Sequence, residues 1–452
     1  MTNWLYRLVL RYVDVKRKSQ KNKAIIDSCK QLNAYYLFSP FIQVPIDELP
    51  EHLRKCTPEQ LDEINKFWAP YNTLIPNNPL TQVVFSNLSG RFDPSYVPFG
   101  LQRNILVQFW NHPSFSIFRN KNFSRLLFPF VKNPGCVMSC SFGTFVDDDG
   151  NVFSFDEAVE RIHQILAVEK ELIIKPALLS GSGKNIIFFT SNDTQDTIAK
   201  TIRRYMPDFV CQKVLKNHPS FSTGEKALNT LRVITLLDGN EVIFVGAMWR
   251  MSTGDRLDNW DAGGIACPID RNGICSSFAM TGNGERFEEH PHGFKFKGHK
   301  LFKADEIITT AIQCHKHIMQ QKYMSWDFTV DDAGDIVFIE MNSPGGCEMA
   351  QSLGINSYLN KDMAKKIFDK YVYLNKATLL WDYREFSDHV ILLKYFGNRK
   401  KVTIPSNFKG KPVKLVAGSC FDDSKVVKVV LPENVSFAVN LSKRKGQIKV
   451  EK

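Results

Sequence analysis

Residues 325–346 read SWDFTVDDAGDIVFIEMNSPGG, and the rest of the chain can be organised around them. Apolar and aromatic residues on either side of the turn-forming segment DDAGD (331–335) predict an antiparallel hairpin. Side chains alternate between the two faces of a strand. Asp327 and Thr329 therefore share one face, and Trp326, Phe328 and Val330 the other. On the second strand, Phe338, Glu340 and Asn342 are expected together, with Val337, Ile339 and Met341 opposite. A two-residue turn at Ala333 and Gly334 pairs Asp327 with Glu340. Two carboxylates and one amide oxygen then fall in one patch. Like charges directly opposite repel, and a bound cation relieves the repulsion. All-oxygen donors suit Mg²⁺, which bridges carboxylates to substrate phosphates. On spacing alone, a surface hairpin with solvated acids accounts for the pattern equally well.

Working outward, ELIIKP (171–176), LRVITLL (231–237) and EVIFVGAMWR (241–250) read as further strands. An Asp-Gly turn at 238–239 joins the last two into a hairpin. Strands, helical segments and glycine loops alternate from about 104 to 375, as in an α+β enzyme. Residues 1–103 are expected to be a helical accessory or lid-forming region, with a capping-box cluster at Thr57, Glu59 and Gln60. Within it, NWLYRLVLRYVDVKR (3–17) has the spacing of a basic amphipathic helix. It is read as an ordinary packed helix, with peripheral membrane contact as the alternative. From 386 to 452 the texture is short strands and turns.

The chain has 452 residues and a formal net charge of +11, which favours anionic partners without choosing among them. No nucleic-acid-binding signature is present. Ten scattered cysteines form no set at metal-ligand spacing and read as reduced thiols of a cytosolic protein. Neither a secretory signal nor an apolar run of about 18 residues is found.

SGSGK (180–184), flanked by Lys175 and Lys184, gives backbone N–H groups and point charge suited to phosphates, although the segment lacks Walker A spacing. Arg232 and Arg250, on consecutive strands, are suited to a forked grip on carboxylate or phosphate. Gly263 and Gly264 mark a close approach or a bulge. His290 and His292 are expected in a loop near the substrate or in a structural role, and Cys347 as an inert thiol.

These residues carry a resemblance. Asp327 followed by Glu340-Met341-Asn342 is similar to the terminal signature of the ATP-grasp superfamily, in which three such residues hold magnesium. ELIIKP with Lys175 resembles the strand lysine on the α- and β-phosphates, and LLSGSGKNI (178–186) the glycine-rich loop after it. RNKNFSRLLF (119–128) resembles the first nucleotide-binding lysine segment, with Lys121 in that role. CQKVL (211–215) resembles the hinge that holds adenine, with Gln212 where a glutamate is commoner. KNHPSFS (216–222), LNTLRVITL (228–236), 246–270 and HPHGFKFKG (290–298) bring the chain nearest to the sugar-transfer-associated, glutamate-ligase-like group.

The resemblance implies an ATP-grasp fold over 104–375, with ATP and Mg²⁺ as cofactors. It puts nucleotide contacts at Lys121, Lys175, Ser180, Gly181, Gly183, Lys184, Gln212, Lys213 and Val214. Metal contacts fall at Asp327, Glu340 and Asn342, and catalytic roles at Arg232 and Arg250. The implied reaction joins a carboxylate to an amine through an acyl-phosphate, with a uronic or related sugar acid of surface polysaccharide as the expected acid. A peptide substrate, phosphorylation without ligation, and a non-catalytic scaffold are the alternatives. Parts of 386–452 resemble BspA-like leucine-rich repeats, of which one or two units fit, and are expected to pack on the catalytic body or on a second chain.

Overall fold

The computed structural model describes residues 35–36, 44–69, 78–98, 111, 118, 120–178, 185–224, 227–254, 263–342, 347–355, 380–397, 399–408, 410–444 and 446–452. The segment 3–17 lies outside these residues. So do Ser180, Gly181, Gly183 and Lys184 of the glycine-rich loop. Among the described residues no helix is long and apolar enough to cross a membrane, and the eight cysteines described are all free.

The smaller sheet comprises β1 (Cys136–Ser141), β2 (Thr144–Val146), β3 (Val152–Phe153), β4 (Glu171–Pro176), β5 (Ile187–Thr190) and β6 (Phe209–Lys213). Its order is β3-β2-β1-β6-β4-β5 and every pairing is antiparallel. Helices Phe155–Glu169 and Gln195–Tyr205 cover one face through a core that includes Ile162, Leu166, Ile174, Ile198 and Phe209. A reciprocal capping box between Ser154 and Glu157 starts the first of these helices. Alternation then turns Ile173, Lys175 and Gln212 away from that core, towards the larger sheet.

The larger sheet is antiparallel throughout. It comprises β7 (Thr230–Asp238), β8 (Glu241–Met251), β9 (Ile265–Ile269), β10 (Ala279–Thr281), β11 (Arg286–Phe287), β12 (Tyr323–Val330) and β13 (Ile336–Asn342). The order is β11-β10-β9-β8-β7-β12-β13. The Asp-Gly hairpin forms as expected, with Asp238 paired to Glu241 and Gly239 at φ +63°. One face packs Leu231, Val233, Trp249, Trp326 and Phe328 against helix Ala304–His317.

The opposite face is divided. One part is covered by the helices Pro58–Trp68 and Leu80–Ser89, whose Ile64, Trp68, Val84 and Phe85 share a core with Ile234, Met248, Met280 and Tyr323. The predicted capping box of Thr57 with Gln60 opens the first of these helices. Gln351 exchanges two hydrogen bonds with the Val97 backbone, at 2.6 and 3.0 Å. The described part of the N-terminal region therefore packs as a layer on the larger sheet. The remaining part of the same face carries Arg232, Arg250, Asp327 and Glu340.

Residues 380–451 form a solenoid with its own core, which includes Trp381, Leu392, Val402, Val429 and Phe421. One ladder joins β15 (Val390–Tyr395), β17 (Lys411–Val416) and β19 (Ser436–Phe437) in parallel, with β14 (Trp381–Glu385) antiparallel at its start. The second joins β16 (Lys401–Thr403), β18 (Lys428–Val430) and β20 (Lys449–Glu451). Each parallel ladder has three rungs. The paired positions Lys401, Lys428 and Lys449 recur after 27 and then 21 residues, so no constant period marks them.

Candidate active site

The hairpin β12–β13 shows how the acids are placed. Asp331 donates its N–H to the Asp335 carbonyl and Gly334 donates to the Asp331 carbonyl, with Gly334 at φ +83°. The turn is therefore three residues long with glycine in the left-handed position, not the expected two-residue turn. That register pairs Val330 with Ile336 and Phe328 with Phe338. Continued without interruption, it would set Asp327 opposite Ile339. A bulge at Ile339 absorbs one residue and restores the pairing of Asp327 with Glu340.

The bulge also corrects the predicted faces. Phe338 does not lie beside Glu340. It packs on the helix side against Phe128, Trp326 and Phe328. Ile339 leaves the apolar face predicted for it and lines the cleft. Strict alternation fails there because a bulge resets the face of every residue beyond it.

Strand pairing also sets Asp327 opposite Arg232 on β7. Arg232 donates from Nε and Nη2 to the two carboxylate oxygens at 2.7 and 2.6 Å. Arg250 adds a contact from Nη1 at 3.3 Å. Asp327 is only 2% exposed, so this is a desolvated, forked ion pair. Glu340 accepts from Asn342 Nδ2 at 3.0 Å and faces Lys121 Nζ at 3.5 Å. Burial alone would raise the Glu340 carboxyl. Lys121, the Asn342 amide, Arg232 and Lys175 outweigh it and hold the group well below the ordinary carboxylate range. Burial, and then the neighbouring Lys121 ammonium, push Lys175 down to about 8. Lys121 is fixed from the other side, since its N–H donates to the Ala177 carbonyl just beyond β4.

Four cations thus converge on two carboxylates where the sheets meet. Beside them a cavity of about 550 Å³ is lined by Ile173, Lys175, Phe188, Gln212, Lys213, Val214, Leu215, Asn217, Thr230 and Ile339, among others. Its size and mainly apolar walls are those of a small-molecule site. Gln212, paired with Ile173, is 5% exposed, and among the described residues its Oε1 has no hydrogen-bond partner. Lys213 instead points to Glu169 at 2.6 Å.

The profile of the Sugar-transfer associated ATP-grasp family matches residues 115–363, more than half of the chain. The chain belongs to that family. Its fold is α+β, with two sheets closing on one cleft. No curated protein matches the ATP-grasp chain. Among solved structures, D-alanyl-alanine synthetase A from Vibrio cholerae is similar at 14% identity and a TM-score of 0.36, over 57% of this chain and 66% of that one. VanG D-Ala:D-Ser ligase from Enterococcus faecalis is similar at 13% and 0.36, over 56% and 62%. The ATP-grasp ligase PsnB, complexed with precursor peptide and AMPPNP, is similar at 14% and 0.30, over 54% and 62%. The chain spans less than two thirds of each of these proteins. The family assignment rests on the profile match, not on these distant likenesses.

The remaining expected residues divide. His290 is buried, its Nδ1 accepting from the His292 N–H and its Nε2 meeting the Ser252 carbonyl at 2.9 Å. Burial lowers its pKa. It therefore anchors the end of β8 as a neutral ring. Gly263 has φ +90°, and among the described residues nothing lies within 4 Å of where a Cβ would stand, so its conformation calls for glycine. The side chain of Cys347 lies outside the described residues. Sequence reasoning gave no role to Ile173, Phe188 or Ile339, because an apolar residue carries no chemical signal until two sheets enclose it.

Proposed function

We propose that the chain is an ATP-dependent carboxylate–amine ligase working through an acyl-phosphate. The observation that carries this is the convergence of Lys121, Lys175, Arg232 and Arg250 on Asp327 and Glu340 beside a nucleotide-sized cavity.

In this reading the purine lies between Ile173 and Ile339, near the hinge residues Gln212, Lys213 and Val214. The Gln212 Oε1 accepts from an exocyclic amino group. Lys121 and Lys175 neutralise phosphate oxygens. Arg232 orients Asp327, and Arg250 reaches the transferring phosphoryl group or the carboxylate that attacks it. Such positioning and charge stabilisation are what phosphoryl transfer requires. The substrate carboxylate takes the γ-phosphoryl group, releasing ADP. An amine then displaces phosphate to give an amide, with no protein nucleophile needed.

The donor chemistry of Asp327, Glu340 and Asn342 fits Mg²⁺. All three offer oxygen, and a carboxylate keeps lone pairs beyond those that Arg232 engages. Two carboxylates and one amide leave coordination positions that phosphate and water oxygens would fill. Bound there, Mg²⁺ supplies Lewis-acid compensation of phosphoryl charge.

The family's association with sugar transfer supports a uronic or related sugar acid as the carboxylate, in surface-polysaccharide assembly. The three-rung solenoid supports a leucine-rich-repeat-like reading of residues 386–452. The test is ADP release with Mg²⁺ and ATP across panels of sugar acids and amines. ADP that requires both an acid and an amine supports ligation. ADP formed with acid alone replaces it with a kinase, and no Mg·ATP binding leaves a scaffold.

A further inference from the structure

Asn217 stands where the hinge meets the larger sheet, and no step of the reaction uses it. Its side chain is the centre of a closed set of hydrogen bonds. Oδ1 accepts from the Asn229 N–H at 2.7 Å. Nδ2 donates to Thr329 Oγ1 at 2.6 Å and to the Asn229 carbonyl at 3.2 Å. Thr329 Oγ1 donates in turn to the same carbonyl, at 2.8 Å. A backbone N–H can only donate, so the atom facing it must be the amide oxygen, and the other end of the amide is the donor. An aspartate would lack that donor, and an aliphatic residue would lack both ends.

These bonds join three segments. Asn217 follows the hinge, Asn229 precedes β7, and Thr329 lies on β12 two residues beyond Asp327. Asn229 is 1% exposed and Thr329 is fully buried, so breaking the set strands polar groups away from water. Main-chain bonds hold the hinge at its two ends. The Lys213 N–H donates to the Gly135 carbonyl at 2.9 Å, and the His218 N–H to the Val330 carbonyl at 3.0 Å. Among the described residues none is found for 214–216, so the course of that stretch depends on its anchors. Ser222, Leu228 and Thr230, within or beside the segment that the amide closes, line the cavity together with Val214 and Leu215.

We propose that Asn217 is a positioning residue for the purine, setting the hinge against β12 and so fixing the base end of the cavity. Its role rests on the nucleotide reading of the cleft. The two ends of the cavity are separable. On β4, Leu172 pairs with the hinge residue Lys213, whereas Lys175 pairs with Val210. Three residues of strand span about 10 Å. Loosening the hinge therefore costs contacts to the base and spares the lysines that face phosphate.

Calorimetric titration of the full-length protein with Mg·ATP and with Mg·tripolyphosphate compares the wild type, Asn217→Ala and Thr329→Val. Thr329 lies outside the cavity lining, so it reaches a nucleotide only through Asn217 and Asn229. ATP affinity is expected to fall at least about tenfold in Asn217→Ala and about threefold in Thr329→Val. Tripolyphosphate affinity is expected to stay within about twofold in both. Should Asn217→Ala not fold, Thr329→Val reads the same contrast. Unchanged ATP affinity in the folded variants overturns the proposal, and so does an equal loss for both probes. Loss in Asn217→Ala with none in Thr329→Val makes Asn217 a direct contact and overturns the positioning role. A wild type that binds neither probe removes the nucleotide reading itself, and this role with it.

Discussion

In the cleft, Arg232, Arg250, Lys121 and Lys175 converge on two carboxylates. On the outer ladder of the solenoid, Lys401, Lys428 and Lys449 stand in a row with one. The residue types are similar and the surroundings are not. The Asp327 side chain is 3% exposed and its arginine partners 12% and 11%, whereas Lys449 is 73% exposed. Removing one partner from a desolvated cluster leaves a charge with neither water nor counter-ion. Removing one lysine from a solvated row leaves water in its place. Burial, more than the number of charges, decides what each group contributes.

That contrast predicts the largest effect at Asp327. Asp327→Asn leaves Arg232 and Arg250 facing a neutral amide, and a loss of about 3–5 kcal/mol is expected in chemical denaturation. ADP formation should fall by about 10³-fold or more. Glu340→Gln should remove activity comparably with a smaller loss of stability, because its side chain is 29% exposed. Equal stability losses in the two variants would break the burial argument.

Ile339→Ala tests the bulge. Strand pairing should survive, because Ile339 is the residue left without a partner in the register. Nucleotide affinity should drop about tenfold, since an apolar wall of the cavity is cut back. An unchanged nucleotide Kd would take Ile339 out of the binding wall.

The lysine of the cleft also has a pH signature. Burial holds Lys175 down to about 8, against the ordinary lysine value of 10.5. Between those values the unfolded chain binds more protons than the folded one, so stability rises with pH across that window. Phosphate favours the charged ammonium, so Mg·ATP affinity should fall above pH 8, by up to about tenfold per pH unit. A Lys175→Arg variant, charged throughout, should lose that dependence in a calorimetric titration. The smallest effect belongs to the solenoid, where Lys401→Gln should change stability by less than about 0.5 kcal/mol.

Much of this was legible in the primary structure. The hairpin's acids, the strand lysine and the Asp-Gly turn are local features, and local chemistry survives folding. The pairing of Asp327 with Glu340 was also foreseen, but through the wrong turn. A three-residue turn and a bulge together give the register that a two-residue turn would have given alone. Periodicity cannot distinguish those routes, because a bulge depends on what each face packs against.

The sequence by itself determined the residue types of the site, the strands that carry them and the family's order of motifs. Only the tertiary structure decided that Arg232 and Arg250 grip Asp327, that Ile339 turns into the cleft, and that three lysines distant in sequence form one row. The reason is physical. A side chain's identity is written in the chain, whereas its partner and its exposure to water are set by how strands pair and sheets close.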